Sequence, residues 1–177
     1  MDAWIRNGDF TGMLPADSKE CFYRLYTKGT FCAFLKAYQK LLLEHGTLGN
    51  YVKKRADGDA FKAVEAICRY FAAEGISVVV PKDATSACKR VCMFLRWMVR
   101  DDSPVDLGLW ADFIDKRSLI IPLDTHVLQE SRELGLIGGT TASMSTARRL
   151  TSTLAEVFPE DPLKGDFALF GYGVDKG

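Results

Sequence analysis

Two residues in this chain stand where helices would begin, and both carry groups that do chemistry. Lys89 opens an apolar helical pattern after the turn-like run PKDATSA, and Asp124 precedes another in IIPLDTHVLQESRELGL. An ammonium in the first turn of a helix faces the positive end of the backbone dipole, and desolvation disfavours the charged form further. That is the environment an amine nucleophile needs. A lysine at a helix start is also commonly just solvated, so the residue type alone leaves both readings open. Asp124 has two roles available as well. Its side-chain oxygens suit an N-cap, and a carboxylate kept ionised at a helix start stabilises developing positive charge. These two roles are compatible.

The elements that must position these groups are helical. Phe31, Phe34, Leu35, Tyr38, Leu41 and Leu42 recur at helical spacing, with Thr30 as a cap and Gly46 as a stop. A second such pattern fills residues 59–75, and the last two helices are predicted over 145–158 and 162–170, the latter stopped by Gly171. ISVVVP is the one strand-like run, too short and partnerless for a sheet, and is expected as an extended connector. Residues 87–100 are apolar on almost every side, which places that helix at the centre of a bundle. The expected class is all-α: one helical domain over 1–177, loosely patterned over 1–20, with the candidate segment at 81–136.

The central helix carries a basic stripe. At 100° per residue Lys89, Arg96 and Arg100 fall within about 20° of one line. Between Lys82 and Arg100 five basic residues face one acid, Asp83. Ionised groups rarely enter an apolar helix without partners. The arginines therefore either pair with acids such as Asp101, Asp102, Asp106 or Asp112, or face a nucleic-acid backbone. Trp97 and Trp110 are core residues or stacking platforms for a base. Asp166 reads as a helix cap or, less commonly for such a position, a pocket group, and the run Tyr51-Val52-Lys53-Lys54-Arg55 as a solvated turn or a phosphate contact.

Composition narrows the setting. The formal net charge is zero, so any contact with nucleic acid has to be local. No run approaches the length of a membrane span, and the start lacks a signal-peptide core, which points to a cytoplasmic protein. Five cysteines without a CxxC read as reduced thiols. An iron–sulfur cluster on four C-terminal cysteines is excluded, because no cysteine follows Cys92. No cofactor is expected.

Several runs together resemble a known pattern: SACKRVCMFLRWMVRDDSPVDLGLW, PLDTHV, RELGL and DPLKGDFALFGYGV, in that order. They look like an uncharacterised bacterial family that resembles the helix–hairpin–helix DNA glycosylases, nearest the archaeal 8-oxoguanine type. The resemblance implies a helix–hairpin–helix glycosylase-like domain, here lacking the N-terminal helices of the pattern. It implies that Lys89 takes the position of the nucleophilic lysine and Asp124 that of the catalytic aspartate, with His126 supporting it. Thr85 and Ser86 fall in the hairpin and would anchor a phosphate by their hydroxyls. Arg90 and Arg96 would face the DNA, and Trp110 is a pocket candidate. The expected partner is double-stranded DNA with a damaged base, and the expected activity is base excision with Schiff-base lyase chemistry. A non-catalytic relative that binds DNA or protein is the alternative.

Overall fold

Side-chain caps set most of the helix starts. Thr27, Thr47, Asp59, Asp124 and Ser143 each accept the backbone N–H of the residue three positions on, and each has extended backbone. In the computed structural model, which describes residues 2–175, eight α-helices follow in order. They are α1 (Asp2–Arg6), α2 (Lys28–His45), α3 (Leu48–Ala56), α4 (Ala60–Ala73), α5 (Lys89–Val99), α6 (Thr125–Glu133), α7 (Met144–Val157) and α8 (Lys164–Asp175). The fold is mostly helical, as the periodicity predicts. None of these helices is long and apolar enough to cross a membrane.

Four findings depart from the sequence expectations. A small antiparallel hairpin, β1 (Cys21–Tyr23) and β2 (Tyr26–Thr27), turns at Arg24 with φ 53°. Strands this short carry too few residues for a period of two to register. Residues 2–20 are not loose: α1, a 3-10 turn at Asp9–Gly12 and the residue run after it bury Ile5, Phe10 and Leu14 against Cys32 and Leu42 of α2. Arg6 ties them down by donating to the carbonyls of Leu42 and Gly46 at the end of α2. The central helix starts at Lys89 rather than at 87, because Cys88 takes a left-handed conformation with φ 46°. The last helix runs through Gly171 to Asp175 instead of stopping there, and a helical glycine of this kind costs about 1 kcal/mol.

The main core draws on α3, α4, α5 and α7, around Val52, Val64, Cys68, Leu95 and Leu150, with Ile121 held to α7 by its N–H donating to Thr151 Oγ1. Helix α5 buries Val91, Cys92, Leu95 and Val99, as expected of a central helix. Residues 74–88 link α4 to α5 with no helix or named strand, so ISVVVP is a connector. This segment docks on the start of α7, where the Met144 N–H donates to the Thr85 carbonyl. Helix α8 packs against α6. Its Gly165 allows a close approach to α7: a Cβ there would lie 2.5 Å from Leu154 Cδ2.

Candidate functional site

The first residue of α5 and the N-cap of α6 meet. Lys89 Nζ donates to Asp124 Oδ2 at 2.5 Å, across 35 positions of sequence. The other oxygen of Asp124 accepts the Val127 N–H at 2.8 Å and so caps α6. The two readings of Asp124 therefore hold at once, one on each oxygen. Burial pushes its carboxyl up, but the Lys89 ammonium and the Val127 and His126 amides outweigh burial and hold it below the usual carboxylate range. Both side chains are reachable from solvent, Lys89 46% and Asp124 31% exposed.

The pair stands at the edge of a cavity of about 310 Å³. Helix α5 supplies Lys89, Met93 and Arg96, one face at i, i+4 and i+7. Residues 122–127 supply Pro122, His126 and Val127, and α8 supplies Asp166, Phe167 and Phe170. This is the lower end of the size range for small-molecule pockets, with mostly apolar walls and few converging polar groups. Larger hollows exist, among them one of about 490 Å³ whose lining includes Asp101, Asp112, Asp115 and Lys116, with Lys116 paired to Asp101. One of about 550 Å³ is lined by α6 alone, and one of about 450 Å³ between α2, α4 and α5 is almost wholly apolar.

The floor of the cavity rests on a buried ion network. Arg96 Nη1 donates to Asp166 Oδ2 at 2.8 Å. Arg100 makes a fork onto Asp161, with Nε and Nη2 donating at 3.0 and 2.7 Å to Oδ2, and its Nη1 donates to Asp106 at 2.5 Å. Arg96 Nε and Asp106 Oδ1 face each other at 3.5 Å, both buried and without a hydrogen bond. The Phe167 ring lies under both guanidiniums, 4.8 Å from Arg96 and 5.3 Å from Arg100. Burial opposes the charge of Arg100, but Asp161 and Asp106 outweigh it and hold the guanidinium more firmly protonated. Burial also pushes the Asp166 carboxyl above the usual range, and the Arg96 guanidinium offsets this only in part.

The sequence-derived candidates divide. Lys89, Asp124, His126 and Arg96 come together at the cavity, although Arg96 is buried in an ion pair rather than presented to solvent. Of the two fates open to the arginines, Arg96 and Arg100 take the acid-paired one. Trp110 is not at the site. It is buried between Phe94 and Phe113, as core packing requires. Thr85 and Ser86 lie in the connector, where Thr85 is bonded to Asp83 and Ser86 bridges to Ser143. Arg90 points away from the cavity and stacks over Tyr26 of the hairpin.

Met93 and the faces of Phe167 and Phe170 were not singled out by residue type. Their spacing at i+4 from Lys89 and at i, i+3 in α8 is the signal that marks them. Among the described residues no group of three His, Cys, Asp or Glu side chains converges to hold a metal ion. All five cysteines are free, and only Cys21 is exposed.

Comparison with curated proteins and with solved structures finds no match. The family profile described as "Protein of unknown function (DUF2400)" matches residues 4–175, and this chain, with its Lys89–Asp124 pair at the mouth of a mostly apolar cavity, belongs to that family.

Proposed function

We propose that the chain is a DNA base-excision glycosylase in which Lys89 is the nucleophile and Asp124 the carboxylate that serves it. The observation that carries this reading is the Lys89–Asp124 hydrogen bond at the rim of a cavity, between residues far apart in sequence. The order of motifs that resembles helix–hairpin–helix glycosylases supports it, as do the aromatic faces of Phe167 and Phe170, on which a flipped base stacks. Five free thiols, four of them buried, fit a reducing cytoplasmic setting.

In the proposed reaction Asp124 takes a proton from Lys89, and the freed amine attacks C1′ of the flipped nucleotide. The bond from C1′ to the base breaks, its electron pair leaves with the base, and the sugar ring opens to a Schiff base on Lys89. Oxidised purines such as 8-oxoguanine are the lesions to try first.

A second reading, a relative that binds DNA or protein without chemistry, draws support from the connector 74–88. It is not a short glycine turn of the kind that lets backbone amides close on a phosphate.

Borohydride trapping on duplexes carrying 8-oxoguanine, uracil or an abasic site separates the two. The enzyme reading expects a trapped covalent complex with the wild-type chain that disappears in Lys89→Gln, with DNA affinity retained. No trapped complex and no base release from a folded chain would hand the case to the binding reading.

A further inference from the structure

The network under the cavity holds more negative than positive groups. Two guanidiniums, Arg96 and Arg100, meet three buried carboxylates, Asp106, Asp161 and Asp166. Burying one uncompensated charge is costly, and a carboxylate so placed relieves the cost by holding a proton. The three are not equally placed to do so. Asp161 accepts a fork from Arg100, and Asp106 lies against both guanidiniums. Asp166 receives a single hydrogen bond, from Arg96, among the described residues. It is also the one of the three that borders the cavity shared with Lys89 and Asp124.

On the reading of Lys89 and Asp124 as the catalytic pair, we propose that Asp166 is the proton donor to the departing base. The proton passes from the Asp166 carboxyl to a ring nitrogen of the base. The C1′–N bond breaks with its electron pair drawn into the ring, so the base leaves neutral. The Lys89 nitrogen forms its bond to C1′, and the proton Lys89 gave up rests on Asp124. Asp166 is left as a carboxylate bonded by Arg96 Nη1, and it regains its proton from water. Two carboxylates in one cavity thus divide acid and base work, as environments that push them in opposite directions allow. Burial drives Asp166 toward its neutral form, while Lys89 and the α6 amides hold Asp124 ionised. The charged groups bearing on Asp166 are Arg96 and Lys89 from α5 and Asp124 from the α6 cap, with His126 also on the cavity wall.

The test uses the full chain on two probes, a duplex with 8-oxoguanine and a duplex with a preformed abasic site. Asp166→Asn should slow base release by about 100-fold and leave borohydride trapping on the abasic duplex unchanged, because that step has no base to protonate. Asp166→Glu should recover part of the rate. Wild-type release should fall as pH rises past the point where Asp166 ionises, and that limb should vanish in Asp166→Asn. Base release by Asp166→Asn at the wild-type rate overturns the proposal, and so does a parallel loss of release and trapping. A wild-type chain that traps the abasic duplex but releases no base overturns it while Lys89 and Asp124 stand. A chain inert on both probes overturns both readings. Should Asp166→Asn fail to fold, carbon-13 NMR of the wild-type carboxyl decides, and a resonance titrating in the ordinary carboxylate range overturns the proposal.

Discussion

At its N-terminal end α5 presents Lys89, half exposed and bonded to one carboxylate across an open cleft. At its C-terminal end, on the same line of the helix surface, Arg96 and Arg100 are buried among three carboxylates and an aromatic ring. The charge type and the stripe are shared, and the surroundings differ. In the buried end every polar contact is fixed, and moving a charge there exposes another. In the open end the pair costs little to break, because water and neighbouring amides take over. A nucleophile has to give up its proton and its partner to react, so it belongs at the open end, and of the three buried carboxylates only Asp166 also borders the cavity. The rest of the floor matters to the site through what it positions, the α8 face that carries Phe167 and Phe170.

Replacing single residues at each end sharpens that contrast. Lys89→Gln should have the largest effect on activity, complete loss of the borohydride-trapped complex, with a stability change of only about 0.2–1 kcal/mol, as for other exposed pairs. Denaturant titration beside the trapping assay would expose the opposite pattern, an unfolded chain whose inactivity says nothing about chemistry. Arg100→Met should do the reverse. It leaves Asp161 and Asp106 buried without their main partner, at a cost of about 3–5 kcal/mol and a melting temperature lower by roughly 10 °C. A calorimetric scan with no such drop would mean that the network holds far less of the fold together than its burial implies. Phe170→Ala lies between them. The ring is 61% exposed, so its removal should hardly change stability while weakening the capture of an unstacked base by about 1–3 kcal/mol. Binding to a duplex with a fluorescent base analogue measures this, and equal affinity would remove Phe170 from the pocket.

The helices could be read from the sequence because their signals are local. Thr30 and Gly46 bracketed α2 to within a few residues, Asp124 was legible as a cap, and the apolar girth of α5 announced its central place. Pairings across the fold were less accessible. That Lys89 meets Asp124 came from a resemblance between motifs, since nothing in either segment encodes the other's position. Trp110 illustrates the limit: an indole suits a base pocket and a core equally, and only the ring of Phe94 packed edge-on against it decides. From sequence Asp166 reads as a cap before a pocket group, because aspartates at helix starts usually are caps. Its pairing with Arg96, seventy positions earlier, depends on how α8 folds back over α5, and that return is set by packing such as Gly165 against Leu154 rather than by any local pattern.

The smallest expected effects separate the two carboxylates of the cavity. Asp124→Ala removes both the cap and the charge and should cost about 1 kcal/mol, whereas Asp124→Asn keeps a capping oxygen and should cost only a few tenths. The charge then shows in the pH dependence. The carboxyl of Asp124 is held below its ordinary range in the folded chain. Its contribution is therefore fully present above the unfolded value and is lost as pH falls through the depressed folded one. The stability gap between wild type and Asp124→Asn should stay constant from about pH 7 to 5 and close below about pH 4. Asp166 is shifted the other way. Its contribution is complete below the unfolded value and is lost as pH rises through the raised folded one, so Asp166→Asn should gain on wild type over that rise. Urea titrations of the three chains at a series of pH values would read both slopes. Parallel slopes for the two variants would mean that the cavity treats its carboxylates alike, and the division of acid and base between them would fail with it.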